Sequence, residues 1–143
     1  MKRILQFWSL VLVLMLICGC TADEHAAGES GVATPNGIYS LEEGDPLGIS
    51  EIVIGDSAGE AKKIIENGKV SYCIYITLPA ETDFKNCIAN ITLPAGAKIS
   101  EESPCLRADL GGRPVLDLSL EVRDLIIENG GETRAYGFEI KLK

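Results

Sequence analysis

Beyond residue 19 this chain has neither tryptophan nor methionine: Trp8, Met1 and Met15 all lie close to the N-terminus. Its one histidine, His25, stands in a polar stretch just after that start. The body therefore lacks an imidazole for general-base catalysis, for Ser-His or Cys-His nucleophile activation, or for metal ligation. Without Trp, a flat platform for stacking sugars has only Tyr39, Tyr72, Tyr75, Tyr136, Phe84 and Phe138 to draw on, and several of these are needed for a core. No CxxC spacing is present, which leaves no basis for a zinc site or a dithiol redox motif. Basic residues are also scarce, 13 against 21 acidic, for a net charge of −8. That balance excludes a nucleic-acid binder built on a basic surface and a membrane contact made through basic patches. No cofactor is expected, and the chain is not read as an enzyme.

What is present begins with a leader. Met1-Lys2-Arg3 is basic, and Ile4 to Ile17 is apolar apart from Gln6 and Ser9. A run of ~14 residues is short for a membrane span of roughly 20 but suits a secretory apolar core. It closes on Ile17-Cys18-Gly19-Cys20, which resembles a bacterial lipobox. The resemblance implies diacylglycerol transfer to the Cys20 thiol, cleavage after Gly19 and acylation of the new N-terminus. Two or three acyl chains anchor stably where one does not, at ~0.8 kcal/mol per buried CH₂.

Acidic Asp23 and Glu24, just past Cys20, look like the export tag of Bacteroidetes surface lipoproteins. The expected location is thus the outer membrane, facing outward. From Thr21 to about Leu47 the chain is rich in Gly, Ala, Ser, Glu and Pro without a sustained period, as in a flexible tether. Its acidic run Glu42-Glu43-Gly44-Asp45 lacks the alternating oxygen ligands of a calcium loop and reads as solvated linker. The division expected is a signal peptide over 1–19, a lipidated tether over 20–47 and one domain over 48–143.

From Leu47 onward, period two dominates, the signature of strands that bury one face. In Val70–Leu78 the inward set is Tyr72, Ile74, Ile76 and Leu78; in Cys87–Leu93 it is Cys87, Ala89, Ile91 and Leu93. Val115–Arg123 offers Leu116, Leu118, Leu120 and Val122, and Thr133–Leu142 offers Tyr136, Phe138, Ile140 and Leu142. Ile49–Ile54 makes a short opening strand. A helical turn over Ala61–Glu66 is outweighed by the hairpin signal after it. Asn67-Gly68 and Asn129-Gly130 mark tight hairpins. The pattern predicts an all-β fold, two antiparallel sheets packed as a sandwich.

The stretch from Ile52 to Leu142 resembles the immunoglobulin-like modules of Bacteroidetes surface lipoproteins, a domain family of unknown function. The residues that carry the resemblance are Ile52-Val53-Ile54-Gly55, Val70–Leu78 with Pro79, and Glu81-Thr82-Asp83-Phe84. Ile91–Gly96, Ser103-Pro104, Pro114-Val115 with a long strand to Ile127, and Tyr136-Gly137-Phe138-Glu139-Ile140 complete the set. The resemblance implies an immunoglobulin-like sandwich at the cell surface and brings no catalytic residues. The three body cysteines lie outside its pattern.

Those cysteines, Cys73, Cys87 and Cys105, stay as free thiols or leave one odd thiol beside a Cys87–Cys105 disulfide. Opposed faces of their strands disfavour a 73–87 bridge. Asp56-Ser57-Ala58 resembles the short O-glycosylation motif of Bacteroidetes, which makes Ser57 a candidate acceptor. Asn90-Ile91-Thr92 spells a sequon by chance, in mid-strand. Carboxylates such as Asp109, Asp117, Glu121, Asp124 and Glu139 read as solvated strand faces, since a glycosidase pair needs a deep cleft. The expected function is a lipid-anchored, non-catalytic binding or structural module, touching membrane lipid through Cys20 and a surface protein or glycan through its loops. Pro79–Asn86 and a mobile Ser100–Arg113 are the expected working loops. A glycan-binding accessory of a polysaccharide uptake system and a small hydrolase are the rival readings.

Overall fold

Strand β4 (Lys69–Leu78) shows how the chain folds. Its even residues Ile74, Ile76 and Leu78 are buried, and its odd residues Cys73, Tyr75 and Thr77 lie half-exposed on the other face. The computed structural model describes residues 34–143, and within them every regular element is a strand. The others are β1 (Gly37–Ser40), β2 (Glu51–Ile54), β3 (Ser57–Glu66), β5 (Cys87–Thr92) and β6 (Lys98–Ile99). Then follow β7 (Leu106–Asp109), β8 (Pro114–Leu116), β9 (Leu125–Asn129) and β10 (Glu132–Leu142). They form one mixed sheet in the order β6-β9-β10-β4-β3-β2-β5-β8-β7, with β1 beside β3, curled into a half-barrel.

The all-β expectation is met, and its antiparallel form needs correction. β10 pairs parallel to β4, from Gly137 beside Cys73 to Leu142 beside Leu78. A parallel pair needs a long crossover, and here the crossover is the whole excursion through β5 to β9. Local alternation carries no information about such a remote partner.

The curl brings the inward residues of β2, β4, β5, β8, β9 and β10 into a single core, with Ile52, Ile74, Leu78, Leu116, Leu125, Ile127 and Tyr136 almost or wholly inaccessible. β3 crosses this core at Gly59, where a Cβ would stand 3.0 Å from Ile52 Cγ2 and 3.2 Å from Ile76 Cβ. Glycine there lets the two isoleucines of flanking strands close over the gap.

The hairpin β3–β4 turns on Asn67-Gly68, both at positive φ, as a two-residue type I′ loop demands. The second hairpin turns one residue later than its Asn-Gly signal suggests. Glu132 pairs with Asn129, so Gly130 and Gly131, both at positive φ, form the loop. Asn129 is thereby free to brace two other segments, its Nδ2 donating to the carbonyls of Pro46 (2.8 Å) and Ala95 (3.3 Å).

Three boundaries differ from expectation. The fold begins at Asn36, not at residue 48. β1 pairs with Lys62–Ile65 of β3, the Asn36 side chain accepts from Asn67 N–H, and Leu47 and Ile49 are buried. A four-residue strand with a glycine gives too short a period to see. Second, the expected strand 115–123 ends at Leu116. Asp117 accepts from Ser119 N–H (3.0 Å) and Oγ (2.6 Å), an Asx-type turn that breaks the ladder. Leu118 stays buried, while Leu120 is 39% and Val122 60% exposed. Third, Ser100–Arg113 is not a loose loop. Ser103 Oγ accepts from Ile126 N–H and donates to Ser100 C=O, both at 2.8 Å, and β7 follows directly.

Candidate functional site

The expected leader over 1–19, Cys20 and the acidic pair Asp23 and Glu24 lie outside the described residues. Within them, the three cysteines are free thiols, so the Cys87–Cys105 bridge is not formed. Geometry gives the reason. β8 lies between β5 and β7, so Cys87, opening β5, and Cys105, just before β7, stand about two strand spacings or ~9–10 Å apart. A disulfide reaches about 7 Å between Cα atoms at most. Burial pushes the Cys105 thiol up to about 12. It also raises Cys87, with Asp83 and Asp117 adding to the effect, and burial raises Cys73. Thiols held protonated in this way are poor nucleophiles and poor metal ligands.

Ser57 sits at the tip of the β2–β3 hairpin, half-exposed beside exposed Asp56. Pro79–Asn86 is internally braced. Thr82 donates to Pro79 C=O through its N–H (3.1 Å) and Oγ1 (2.7 Å). The Asp83 carboxylate takes Asn86 Nδ2 (3.0 Å) and Lys85 N–H (3.2 Å), and these bonds hold its pKa below the ordinary value. Phe84 C=O accepts from Leu118 N–H at 2.6 Å, which ties this loop to the β8–β9 passage. Among the described residues, no group of three His, Cys, Asp or Glu is placed to hold a metal.

A polar cluster that no sequence motif marks gathers around Arg134. Arg134 shares the inward face of β10 with Tyr136 and Phe138. A cation in that register needs a counter-charge, and Asp45 supplies it: Arg134 Nη1 and Asp45 Oδ2 are 2.5 Å apart, with 16% and 13% of the side chains exposed. The guanidinium lies 4.0 Å over the Tyr72 ring and donates to Tyr136 Oη at 3.3 Å. Tyr136 Oη donates to Leu47 C=O at 2.6 Å and meets Tyr72 edge to face at 5.6 Å. Burial alone pulls the Asp45 carboxyl up. The hydrogen bonds from Arg134 and Leu47 N–H, and the charges of Arg134 and Lys63, outweigh burial and hold it below its usual value. Burial raises the Tyr136 phenol. The cluster latches the segment 45–47 to β10, with Tyr72 of β4 beneath the guanidinium. Open clefts flank it, one of about 290 Å³ against Glu43 and Lys63 and one of about 830 Å³ against Val70 and Glu132.

A second feature lies on the outer face. Tyr75 of β4 stands in one cross-strand row between Glu60 of β3 and Glu139 of β10. Beside it Ala58 and Thr77 are small, which leaves a shallow depression of about 670 Å³. Strand side chains stand roughly perpendicular to the sheet, so the Tyr75 ring walls this step. Glu60 is paired with Lys62 at 2.5 Å. Alternating polarity around one ring can meet the hydroxyls of a neutral ligand, but it provides no nucleophile with a base in reach. Comparison with family models, curated proteins and solved structures finds no match to this chain.

Proposed function

We propose that this chain is a lipid-anchored protein of the bacterial cell envelope, held through acylated Cys20 and displayed at the outer surface. Its Asn36–Lys143 body serves as a non-catalytic binding or structural module, a variant of the immunoglobulin-like sandwich. The observation that carries the reading is Ile17-Cys18-Gly19-Cys20 closing a basic and then apolar leader. Support for the sandwich is that the apolar sides of β4 and β5, and of β9 and the first half of β10, share one core. Because the fold begins at Asn36, Thr21–Pro35 is the span between anchor and body.

Palmitate labelling with membrane fractionation tests the anchor. Cys20→Ser is expected to lose the label and leave the membrane fraction; continued acylation would refute the lipobox. Replacing Asp23 and Glu24 by Ala is expected to reduce protease shaving of intact cells. A wild type protected in intact cells assigns the body to the periplasmic face instead.

One observation favours a second reading, a glycan-binding accessory: the Tyr75 ring bracketed by Glu60 and Glu139 beside the small-residue step. Wild type retarded in gels containing neutral polysaccharides, and Tyr75→Ala unretarded, would select it.

A further inference from the structure

β10 changes partner halfway along. Its first half, Glu132–Tyr136, pairs with β9, and from Gly137 onward its strand partner is β4. On the side away from β4, no strand among the described residues pairs with Gly137–Leu142. None of the loop backbone hydrogen bonds ends there either. Six residues of extended backbone thus present an open ladder, the arrangement most prone to pair with another strand. The side chains on it sort by face. Glu139 and Lys141 point outward and are exposed; Phe138 is buried, Ile140 half-buried, and Leu142, although on the apolar face, is 54% exposed.

We propose that this edge pairs antiparallel with the same edge of a second copy of the chain, with Ile140 on the twofold axis. An isologous contact must be self-complementary, and this sequence is so about residue 140. Glu139 falls opposite Lys141 of the second copy, and Lys141 opposite its Glu139, which gives two cross-strand ion pairs on the outer face. On the inner face, Phe138 falls opposite Leu142 of the second copy and covers the exposed leucine. Ile140 meets its own counterpart at the axis. The neighbouring registers fail. An axis at Glu139 or at Lys141 sets that charge against its own copy. An axis at Phe138 drives the second copy toward Tyr136, where β9 already pairs. The register is therefore fixed by charge and by the end of β9, and the paired sheets run continuously from one body into the next.

The test uses the full chain in cell envelopes. At the twofold axis, facing Cα atoms stand about 4.5–5.5 Å apart, within disulfide reach, so Ile140→Cys should give a covalent dimer under mild oxidant. Glu132→Cys, exposed on the other half of β10, measures the background of chance collisions. On the Ile140→Cys chain, Glu139→Lys or Lys141→Glu alone turns both ion pairs into repulsions and should lower the dimer yield at least about tenfold. The double swap, Glu139→Lys with Lys141→Glu, restores opposite charges and should restore the yield. No cross-link above the background, a cross-link indifferent to the single swaps, or a double swap that stays monomeric would each overturn the proposal.

Discussion

Polar groups tie connecting segments to the strands of the half-barrel at two places, and the two are chemically different. The latch joins a carboxylate, a guanidinium and two tyrosines, and it pins the segment 45–47 to β4 and β10. Between the two ends of the sheet, the clasp is neutral: Ser103 Oγ and Ser100 N–H satisfy both backbone groups of Ile126. Each buries polar atoms without leaving one unpaired, and among the described residues no buried side-chain nitrogen or oxygen lacks a partner. The difference is in what failure costs. Removing half of a buried ion pair strands a charge, whereas removing a hydroxyl strands one amide.

Breaking the latch should therefore have the larger effect. Arg134→Ala removes the ion pair, the cation–π contact and the Tyr136 hydrogen bond together, and leaves the Asp45 carboxylate with the Leu47 N–H but without its ion-pair partner. The expected loss is about 3 kcal/mol, at the low end for a buried pair because both side chains keep some water contact. A urea midpoint unchanged from wild type would show that the latch is not a source of stability. Phe138→Ala, a cavity in the shared core, gives a reference loss of about 3–5 kcal/mol. Ser103→Ala leaves Ile126 N–H unsatisfied, for about 1–3 kcal/mol. A larger loss than that of Arg134→Ala would reverse the ranking.

Acid sharpens the comparison further. Asp45 titrates lower in the fold than in the unfolded chain. Its contribution is complete above the unfolded value, near 3.9, and disappears as pH falls through the depressed folded value. Stability of the wild type should thus decline below about pH 4. Asp45→Asn should flatten that decline, and Ser103→Ala should leave its slope unchanged. Equal slopes in wild type and Asp45→Asn would remove Asp45 from the acid response. The smallest effect belongs to Val122→Ala on the exposed β8–β9 passage, within about ±0.5 kcal/mol by the same urea titration.

The sequence made the clasp and the latch unequally hard to see. Period two identifies β4, β5 and β10, because each buries alternate residues against the core, and it places Ile74, Ala89, Tyr136 and Phe138 correctly. The same alternation places Leu118 correctly but misleads at Leu120 and Val122, where Asp117 has turned the backbone and the pattern continues with no sheet beneath it. Ser103 carries no local sign, since its partner Ile126 lies 23 residues away. Arg134 did carry one: a cation in the inward register of a strand that otherwise reads Tyr136 and Phe138. Its counter-ion lies 89 residues earlier, in an acidic stretch with the composition of a linker. Of the outer-face row, Glu139 is legible as solvated, but its place beside Tyr75 and Glu60 depends on the parallel register.

The way the chain enters the fold also sets how it meets mechanical load. β1 runs from the β3–β4 turn, where Asn36 bonds to Asn67, back along β3, with Gly37 beside Ile65 and Ser40 beside Lys62. A pull on the N-terminal side of Asn36, directed along β1 and away from the body, acts parallel to the strands. The rungs of that short ladder are then strained together in shear and do not open one at a time like a zipper. Behind them, the same force meets the Asp45–Arg134 contact in series before it reaches the core. Under such a load the first structure surrendered is β1 with the segment before Leu47, released together because the rungs share the force.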